Sequence, residues 1–352
     1  MQRTSKTFPG DTPGLQWTLE VLTFNGTDPA APSAYLQAAL HGSEFPGVAA
    51  LHYLIPMLQQ AEADEALAGD VTIVPNANPI GMAQWINGEP QGRFELFSRT
   101  NFNRDHFRLN DFDTSSLPTL DAPIAADIRL KAELLRLALA HEIVLDLHCD
   151  DESEQYMYIH QDFWPAMKDL AVAIKCTSVL TWDLTADAAF EEAAANPVLA
   201  TKADAPDYKR RAVTTIEFAG LADVSAEKGL ADGKGLYEFL QARGTVKGKS
   251  QLDLGAFSGP VTPLENVEMV RSPIGGMVFY HVAPGDVVSE GQKLVTLVHE
   301  VGSPLAEVIV TAPQAGRILT RRHVRCVRRG DDLLKLLAAQ PSKTAKPGSL
   351  ES

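Results

Sequence analysis

The chain has 352 residues, of which 45% are hydrophobic and 22% are charged, and its formal net charge at pH 7 is −14. This is the composition of an ordinary globular protein, and no apolar run approaches the ~18 residues that are needed to span a bilayer. Phosphate binding depends on clustered Lys and Arg, so the acidic balance argues against a nucleic-acid surface. The 3 cysteines are too few and too scattered for a disulfide framework or a cysteine-only zinc site.

The start of the chain has basic residues but no apolar core, so it does not resemble a secretory signal. We therefore expect a cytoplasmic protein with no membrane partner. A length of 352 residues favours two domains over one.

Residues 14 to 24 form the first predicted strand, because apolar and polar residues alternate there up to the turn signal Asn25-Gly26. A second apolar run, Ala34 to Leu40, ends directly before His41-Gly-Ser-Glu44, and a helical pattern follows. In open α/β sheets, ligands bind beyond the carboxyl ends of the strands, so this His and Glu are well placed to bind a metal. About one His-x-x-acid spacing is expected by chance in such a composition, so the assignment depends on the other strand ends.

Residues 86 to 121 follow a short predicted strand at Val71 to Val74 and show no sustained periodicity. A loop of this length inside a compact domain is usually functional. Within it, Asn103 and Arg104 could hold a carboxylate, because the guanidinium fork matches a carboxylate and the amide adds a donor. The alternative is an ordinary surface arginine, and the residues alone favour that alternative.

A predicted amphipathic helix over Asp127 to Ala140 leads into the apolar strand Ile143 to His148, and the strand Ala212 to Phe218 carries Glu217. Three strand ends therefore supply two imidazoles and two carboxylates. Two imidazoles and one carboxylate leave a fourth zinc position open for water, which is the composition of a catalytic site, and the second glutamate is then free to act as a base. Asp146 lies on the same strand face as the second histidine and could orient it, although a buried Asp bonded to the backbone is the alternative.

Composition changes after residues 244 to 250, and short strands punctuated by Gly and Pro follow from Met269, as in a small β sandwich or barrel. We predict an α/β domain over residues 1–250, with a mixed sheet flanked by helices, and a smaller all-β domain over residues 251–338. Residues 339–352 are predicted to form a disordered tail. The basic cluster from Arg317 to Arg329 alternates with apolar residues and is interpreted as the solvated face of a half-buried strand.

Four segments, taken in order, resemble the motifs of the succinylglutamate desuccinylase and aspartoacylase family, whose members are related to zinc carboxypeptidases. They are His41-Gly-Ser-Glu44, Asn101-Phe-Asn-Arg104, Asp146-Leu-His148 and Thr215-Ile-Glu217. The resemblance covers roughly residues 35 to 245 and implies a zinc-carboxypeptidase-like mixed sheet. It also implies one zinc ion per chain, bound by His41, Glu44 and His148.

The resemblance further implies zinc-dependent hydrolysis of a linear amide, with an N-acyl amino acid as the small-molecule substrate. Glu217 would be the base that activates water, and Asn103 with Arg104 would hold the substrate carboxylate. Arg99 would face the developing oxyanion, but Arg93 competes for that role and the choice between them stays open.

The C-terminal region resembles the two halves of a biotinyl or lipoyl domain. A carrier domain needs a lysine on the hairpin between the halves, yet Leu294 to Gly316 contains none. We therefore expect a lid or an assembly surface rather than a carrier domain.

The acidic residues after His148 have two interpretations. Asp150, Asp151, Glu152 and Glu154 either form a solvated acidic loop or give the mouth of the site a negative potential. In the second case the enzyme would prefer an N-acylated diamino acid with a free ammonium group.

Two rival functions remain. One is a zinc carboxypeptidase acting on small peptides, and the other is a binding protein without catalysis. A binding protein has no need of a base beside the metal, which argues against the second rival. The sequence also leaves open whether the chain forms a homo-oligomer.

Overall fold

This computed structural model describes residues 1–183, 188–200, 210–303 and 307–343. The first three quarters of the chain form a large mixed sheet with helices packed against it. The strands up to residue 263 are β1 (Gln2–Pro9), β2 (Gln16–Phe24), β3 (Ala34–Ala38), β4 (Val71–Val74), β5 (Trp85–Ile86), β6 (Glu89–Pro90), β7 (Ile143–Asp150), β8 (Glu152–Ser153), β9 (Tyr156–His160), β10 (Ser178–Trp182), β11 (Ala212–Gly220) and β12 (Val261–Pro263). The helices are α1 (Pro46–Ala63), α2 (Pro79–Met82), α3 (Ala126–Leu139), α4 (Lys168–Ala173), α5 (Phe190–Ala200) and α6 (Ala226–Arg243), with 3-10 turns at Trp164–Met167, Leu254–Ala256 and Leu264–Asn266.

In the described part of the chain, nine strands form the sheet in the order β1-β2-β4-β3-β7-β11-β9-β10-β12. Strand β7 lies between β3 and β11 and is parallel to both. These three strands are buried on both faces along almost their whole length, which explains their continuous apolar sequences. Their carboxyl ends therefore meet at one edge, as the sequence predicted.

Helices cover both faces of these central strands. On one face α1 approaches so closely that a Cβ added to Gly47 would lie 2.7 Å from the Cβ of Leu147. On the other face Phe190, at the start of α5, packs against Tyr35 of β3 with ring centroids 6.3 Å apart. Because neighbouring residues of a strand point to opposite faces, Asp146 and His148 face α5 and not α1.

The predicted elements are confirmed for β2, β3, β4, β7, β11, α1 and α3. Strand β1, at Gln2–Pro9, was not predicted. A proline inside a helix usually kinks or ends it, but α1 continues through Pro56. The side chain of Ser225 caps the start of α6, and Gly235 of this helix lies so close to α4 that an added Cβ would be 2.3 Å from the carbonyl oxygen of Ala173.

The C-terminal region consists of antiparallel strands. They are β13 (Val267–Arg271), β14 (Gly276–Tyr280), β15 (Val287–Val288), β16 (Lys293–Val298), β17 (Glu307–Thr311), β18 (Gly316–Arg321), β19 (Cys326–Val327) and β20 (Asp332–Ala338). Two sheets, with the orders β13-β20-β18-β15 and β17-β16-β14-β19, enclose a small apolar core. The predicted fold class, a mixed α/β sheet with a smaller all-β region, is confirmed.

The predicted domain limits stay predictions. Strand β12 lies C-terminal to the predicted boundary at residue 250 and pairs with β10 of the large sheet. Residues 344–352 of the predicted tail lie outside the described residues.

The acidic segment from Asp150 to Glu154 docks on the C-terminal sheet. Within this segment, β8 pairs with β18, which places opposite charges face to face. Each of its four carboxylates contacts at least one basic side chain: Asp150 contacts Lys335, Asp151 contacts His323, Glu152 contacts Arg321 and Arg325, and Glu154 contacts Arg317. The interpretation as a solvated loop is therefore wrong for the acidic segment. In the basic segment it is wrong for Arg317, Arg321 and Arg325, whereas Arg328 is exposed as predicted.

The ion pair between Asp150 and Lys335 is the most buried of these contacts. Its Nζ–Oδ2 distance is 2.5 Å and its side chains are 6% exposed for Lys335 and 16% for Asp150. The hydroxyl of Tyr156 donates a second hydrogen bond to the same oxygen over 2.7 Å. Since this carboxylate follows the predicted ligand His148 by two residues, the pair connects the β region directly to the predicted metal site.

We predict that Lys335→Met lowers the free energy of unfolding by about 3 kcal/mol, because it leaves the largely buried carboxylate of Asp150 without its cation. Arg271→Met is the matched control, since Arg271 and Asp332 form a pair on the same sheet with side chains 43% and 40% exposed. The control should cost at most about 0.5 kcal/mol. Urea unfolding followed by circular dichroism measures both. Equal losses in the two variants would contradict the assigned importance of the buried pair.

Candidate metal centre and active site

The two histidines and the glutamate predicted as ligands converge beyond the ends of β3 and β7. After β3, Ala39 adopts a left-handed conformation with φ 56°, and the turned chain presents His41 and Glu44 before α1 begins. The Glu44 carboxylate lies between the two imidazoles, with Oε1 2.8 Å from Nδ1 of His41 and Oε2 2.8 Å from Nδ1 of His148. One ligand atom from each of the three side chains lies within 4.8 Å of the others, and all three side chains are buried.

The far nitrogen of each imidazole has its own acceptor. Nε2 of His148 lies 2.9 Å from Oδ2 of Asp146, and Nε2 of His41 lies 2.9 Å from Oδ1 of Asn101. An acceptor at Nε2 holds a proton on that nitrogen, so Nδ1 is the nitrogen of each imidazole that can bind a metal beside Glu44. Two imidazole nitrogens and a carboxylate oxygen therefore point to one position, and this donor set fits zinc.

A chain of buried hydrogen bonds continues behind His148. Asp146 accepts a hydrogen bond from the Gln37 side-chain amide over 2.9 Å, and Gln37 accepts one from the Tyr35 hydroxyl over 2.8 Å. Tyr35 and Gln37 lie on the same face of β3, and Gln37 pairs in register with Asp146. The sequence analysis missed both residues, although their spacing of two within an otherwise apolar strand was a signal for a polar face.

The buried side chains of His41, Glu44 and His148 shift one another's pKa values. Although burial opposes ionisation, His41 and His148 hold the pKa of Glu44 well below its usual range. Burial also opposes protonation of His148, but Asp146 and Glu44 outweigh it and raise the pKa of His148 well above its usual value. Glu44 is therefore held as a carboxylate, the form that binds a metal.

Glu217 lies next to the predicted ligands but is not one of them. It pairs in register with His148 across β7 and β11, and its side chain lines the cavity above them. Its Oε2 atom is buried and has no hydrogen-bond partner among the described residues. Burial and the negative charge of Asp150 raise the pKa of Glu217 well above its usual value. A carboxylate with an elevated pKa is suited to accept a proton.

The cavity next to Glu217 has a volume of about 100 Å³ and is bounded by both parts of the chain. Lys335 of β20 and Leu264 reach it from the C-terminal part. The other lining residues are His41, Arg93, Asn103, Arg104, His148, Cys149, Asp150, Tyr158, Trp182, Ala189, Glu191, Glu192, Thr215 and Glu217. The sequence analysis missed Lys335, Glu191 and Glu192 as cavity residues, because nothing local distinguishes them from solvated charges.

The two arginines considered for the oxyanion lie in different places. Arg93 lines the cavity, with Nη1 3.3 Å from Nδ1 of His41 and 3.6 Å from Oε1 of Glu44. Arg99 is exposed and is not among the described residues that line the cavity. The backbone amide of Gly42 donates to the carbonyl of Gly92 over 2.8 Å, and a Cβ on Gly92 would lie 2.4 Å from the Gly42 carbonyl carbon. This close approach fixes Arg93 beside the predicted ligands.

Asn103 and Arg104 both line the cavity, and neighbouring helices position them. Oδ1 of Asn103 accepts a hydrogen bond from the backbone amide of Phe190 over 2.7 Å, at the start of α5. From α3, the buried Lys131 donates to the carbonyl of Arg104 over 2.8 Å. The loop that carries these residues is thus anchored to two helices.

The catalytic-domain model of the succinylglutamate desuccinylase and aspartoacylase family matches residues 30–243, which is more than half of the chain. The chain belongs to this family. The resemblance inferred from the sequence over residues 35 to 245 is therefore confirmed. Membership implies that this succinylglutamate desuccinylase/aspartoacylase family protein is a hydrolase of the deacylase type.

Solved structures show the same fold over nearly the whole chain. A family protein from Shewanella amazonensis is 24% identical, with a TM-score of 0.84 and coverage of 96% of this chain and 98% of that one. For the corresponding protein from Shewanella frigidimarina, the identity is 23%, the TM-score 0.82 and the coverage 97% and 99%. A Rhodobacter sphaeroides protein of the same description is 15% identical, with a TM-score of 0.70 and coverage of 96% and 95%. No curated protein matches the sequence.

Within the described ranges of this family protein, no helix combines the length and the apolar character that crossing a bilayer requires.

Proposed function

We propose that this family member is a zinc-dependent deacylase that hydrolyses the amide bond of an N-acyl amino acid. The observation that carries the proposal is the convergence of His41 Nδ1, Glu44 and His148 Nδ1 beside Glu217, whose Oε2 atom has no partner among the described residues. Three ligands with a separate carboxylate next to them are the composition of a hydrolytic zinc site.

Zinc, when bound, lowers the pKa of a water molecule to about 7 and polarises a carbonyl group. His41, Glu44 and His148 would hold it, and the acceptors at the two Nε2 atoms would keep both imidazoles oriented. Asp146 is thus assigned to positioning His148, and Asn101 to positioning His41.

Glu217 is assigned as the general base. It would accept a proton from the attacking water and return it to the nitrogen of the leaving amine. The support is its position in register with His148 and its orientation into the cavity.

Arg93 is assigned to the oxyanion in preference to Arg99. A preorganised donor stabilises the transition state only if it lies where the negative charge develops. The guanidinium of Arg93 lies within 3.6 Å of the ligand carboxylate, whereas Arg99 is exposed.

Asn103 and Arg104 are assigned to the carboxylate of the substrate. Because Oδ1 of Asn103 accepts from the backbone of Phe190, the amide group is oriented and its NH2 remains the donor for a ligand. The Arg104 guanidinium lines the same cavity and supplies the positive charge.

The C-terminal β region would act as a lid over this site. Lys335 and Leu264 form part of the cavity wall, which supports a role in substrate binding rather than in carrying a cofactor. Cytoplasmic location stays a prediction.

A zinc carboxypeptidase would use the same chemistry on peptides, so the proposal is tested with substrates of both kinds. Faster hydrolysis of N-acetyl amino acids than of dipeptides by the zinc-loaded protein supports a deacylase. The reverse order would favour the peptidase.

We predict that His41→Ala and Glu217→Gln inactivate the protein in different ways. His41→Ala should lose zinc, because it removes a ligand, whereas Glu217→Gln should retain one zinc per chain and lose about 10³-fold in kcat. Metal analysis after dialysis, together with a rate assay, measures both effects. Loss of zinc from Glu217→Gln would show that the residue is a ligand and not the base.

We also predict that Arg93→Met lowers kcat by about 10²-fold or more, as expected for removal of an oxyanion donor. Arg99→Met removes the same charge from the same loop and should leave kcat close to the wild-type value. Steady-state kinetics on one N-acetyl amino acid compares the two variants directly. If Arg99→Met is the impaired variant, the assignment must be exchanged.

A further inference from the structure

We propose that Glu191 forms a subsite for a positively charged group of the substrate, so that the preferred substrate is an N-acyl diamino acid with a free amine. This inference rests on the proposed deacylase function and specifies the class of its substrate. It uses a part of the cavity wall that the catalytic assignments leave without a role.

Glu191 is a buried carboxylate in the cavity wall. It lies in the first turn of α5, is 7% exposed, and lines the same cavity as Glu217. Its Oε2 atom is buried without a hydrogen-bond partner among the described residues, and no described Lys, Arg or His forms an ion pair with it. Burying an ionised carboxylate without a partner is costly, so native proteins normally supply one.

The cations that line the cavity have other neighbours. Lys335 lies 2.5 Å from Asp150, and Arg93 lies against Glu44 and His41. Arg104 donates to the carbonyl of Asn103 over 2.7 Å and is assigned to the substrate carboxylate. A cation for Glu191 would therefore have to come from the ligand.

Glu191 is adjacent to the proposed carboxylate site. Its neighbour Phe190 donates its backbone amide to Asn103 over 2.7 Å, so the two sites are joined by one hydrogen bond. An amino acid held by its α-carboxylate at Asn103 and Arg104 would occupy the cavity that Glu191 also lines, with its side chain beside the first turn of α5. An ammonium group on that side chain would meet the Glu191 carboxylate.

Stabilisation by the helix dipole does not account for Glu191. The helix dipole stabilises a glutamate in the first helical turn, but it stabilises exposed side chains equally, such as that of Glu227 in the first turn of α6. It provides no reason for burial in a cavity wall. Burial and the nearby charge of Asp146 raise the pKa of Glu191, and these effects outweigh those of Thr215 and His148, which lower it.

The acidic segment after His148 does not serve this purpose. The sequence analysis considered its carboxylates as the source of a negative potential, but each contacts a basic side chain of the C-terminal region. We therefore assign the preference for a cationic substrate to Glu191 and not to the acidic segment.

The test compares three Nα-acetyl amino acids that differ in side-chain charge, namely Nα-acetyl-L-ornithine, Nα-acetyl-L-norvaline and Nα-acetyl-L-glutamate. Wild-type zinc-loaded protein should show its highest kcat/KM with the ornithine derivative. Glu191→Gln should lower that kcat/KM by roughly 30-fold, the effect of removing one partner of a buried charge pair, with little change for norvaline. Glu191→Asp keeps the charge and should retain the order of preference. The matched control Glu227→Gln should behave as wild type.

Binding of the free amino acids gives a readout that needs no turnover. Calorimetry should show that L-ornithine binds the wild type more tightly than L-norvaline and that Glu191→Gln abolishes this difference. Hydrolysis with a preference for the neutral or acidic substrate, or an equal loss on all three substrates in Glu191→Gln, would overturn the subsite and leave the deacylase function intact. Absence of hydrolysis of every N-acetyl amino acid would overturn the deacylase function, and calorimetry would still decide whether Glu191 selects a cation.

Discussion

The site depends on one carboxylate, that of Glu44, held between two imidazole nitrogens at 2.8 Å from each. That arrangement requires both Nδ1 atoms to face inward, and they do so because Asp146 and Asn101 occupy the two Nε2 atoms. Asp146 is in turn held by Gln37, so the orientation of one ligand is set by the register of β3 against β7. The orientation of His148 in the proposed metal site thus follows from sheet pairing, which holds a residue more rigidly than a loop does.

Strand β7 couples this centre to the rest of the chain. It carries Asp146 and His148 on one face, and at its end Asp150 pairs with Lys335 of the C-terminal sheet. The carboxylates that follow continue the contact through cations around β18. As a result, Lys335, which lies 187 positions after His148 in the sequence, forms part of the cavity wall. The β region therefore forms part of the wall of the cavity that we propose as the active site.

The sequence predicted those features that have local signals. His41, His148 and Glu217 each follow or close an apolar run, and parallel strands bring such ends to one edge, so their proximity followed from periodicity alone. The position of Arg93 beside the ligands depends on the contact between Gly42 and Gly92, which no pattern in the loop reveals. The sequence showed the acidic and basic segments as runs of charge. Their pairing joins residues more than 160 positions apart, and no local pattern in either segment predicts it. The burial of Glu191 likewise depends on how α5 packs against β7 and β11.

The central claim is that this chain binds one catalytic zinc through the Nδ1 atoms of His41 and His148 and the carboxylate of Glu44. Anomalous diffraction at the zinc edge from crystals of the zinc-loaded protein tests it most directly. The account predicts one ion per chain, about 2.0–2.2 Å from the two Nδ1 atoms and a Glu44 oxygen, with both Nε2 atoms still bonded to Asp146 and Asn101. An ion bound through Nε2, an ion with Glu217 among its ligands, or no ion at this position would contradict it.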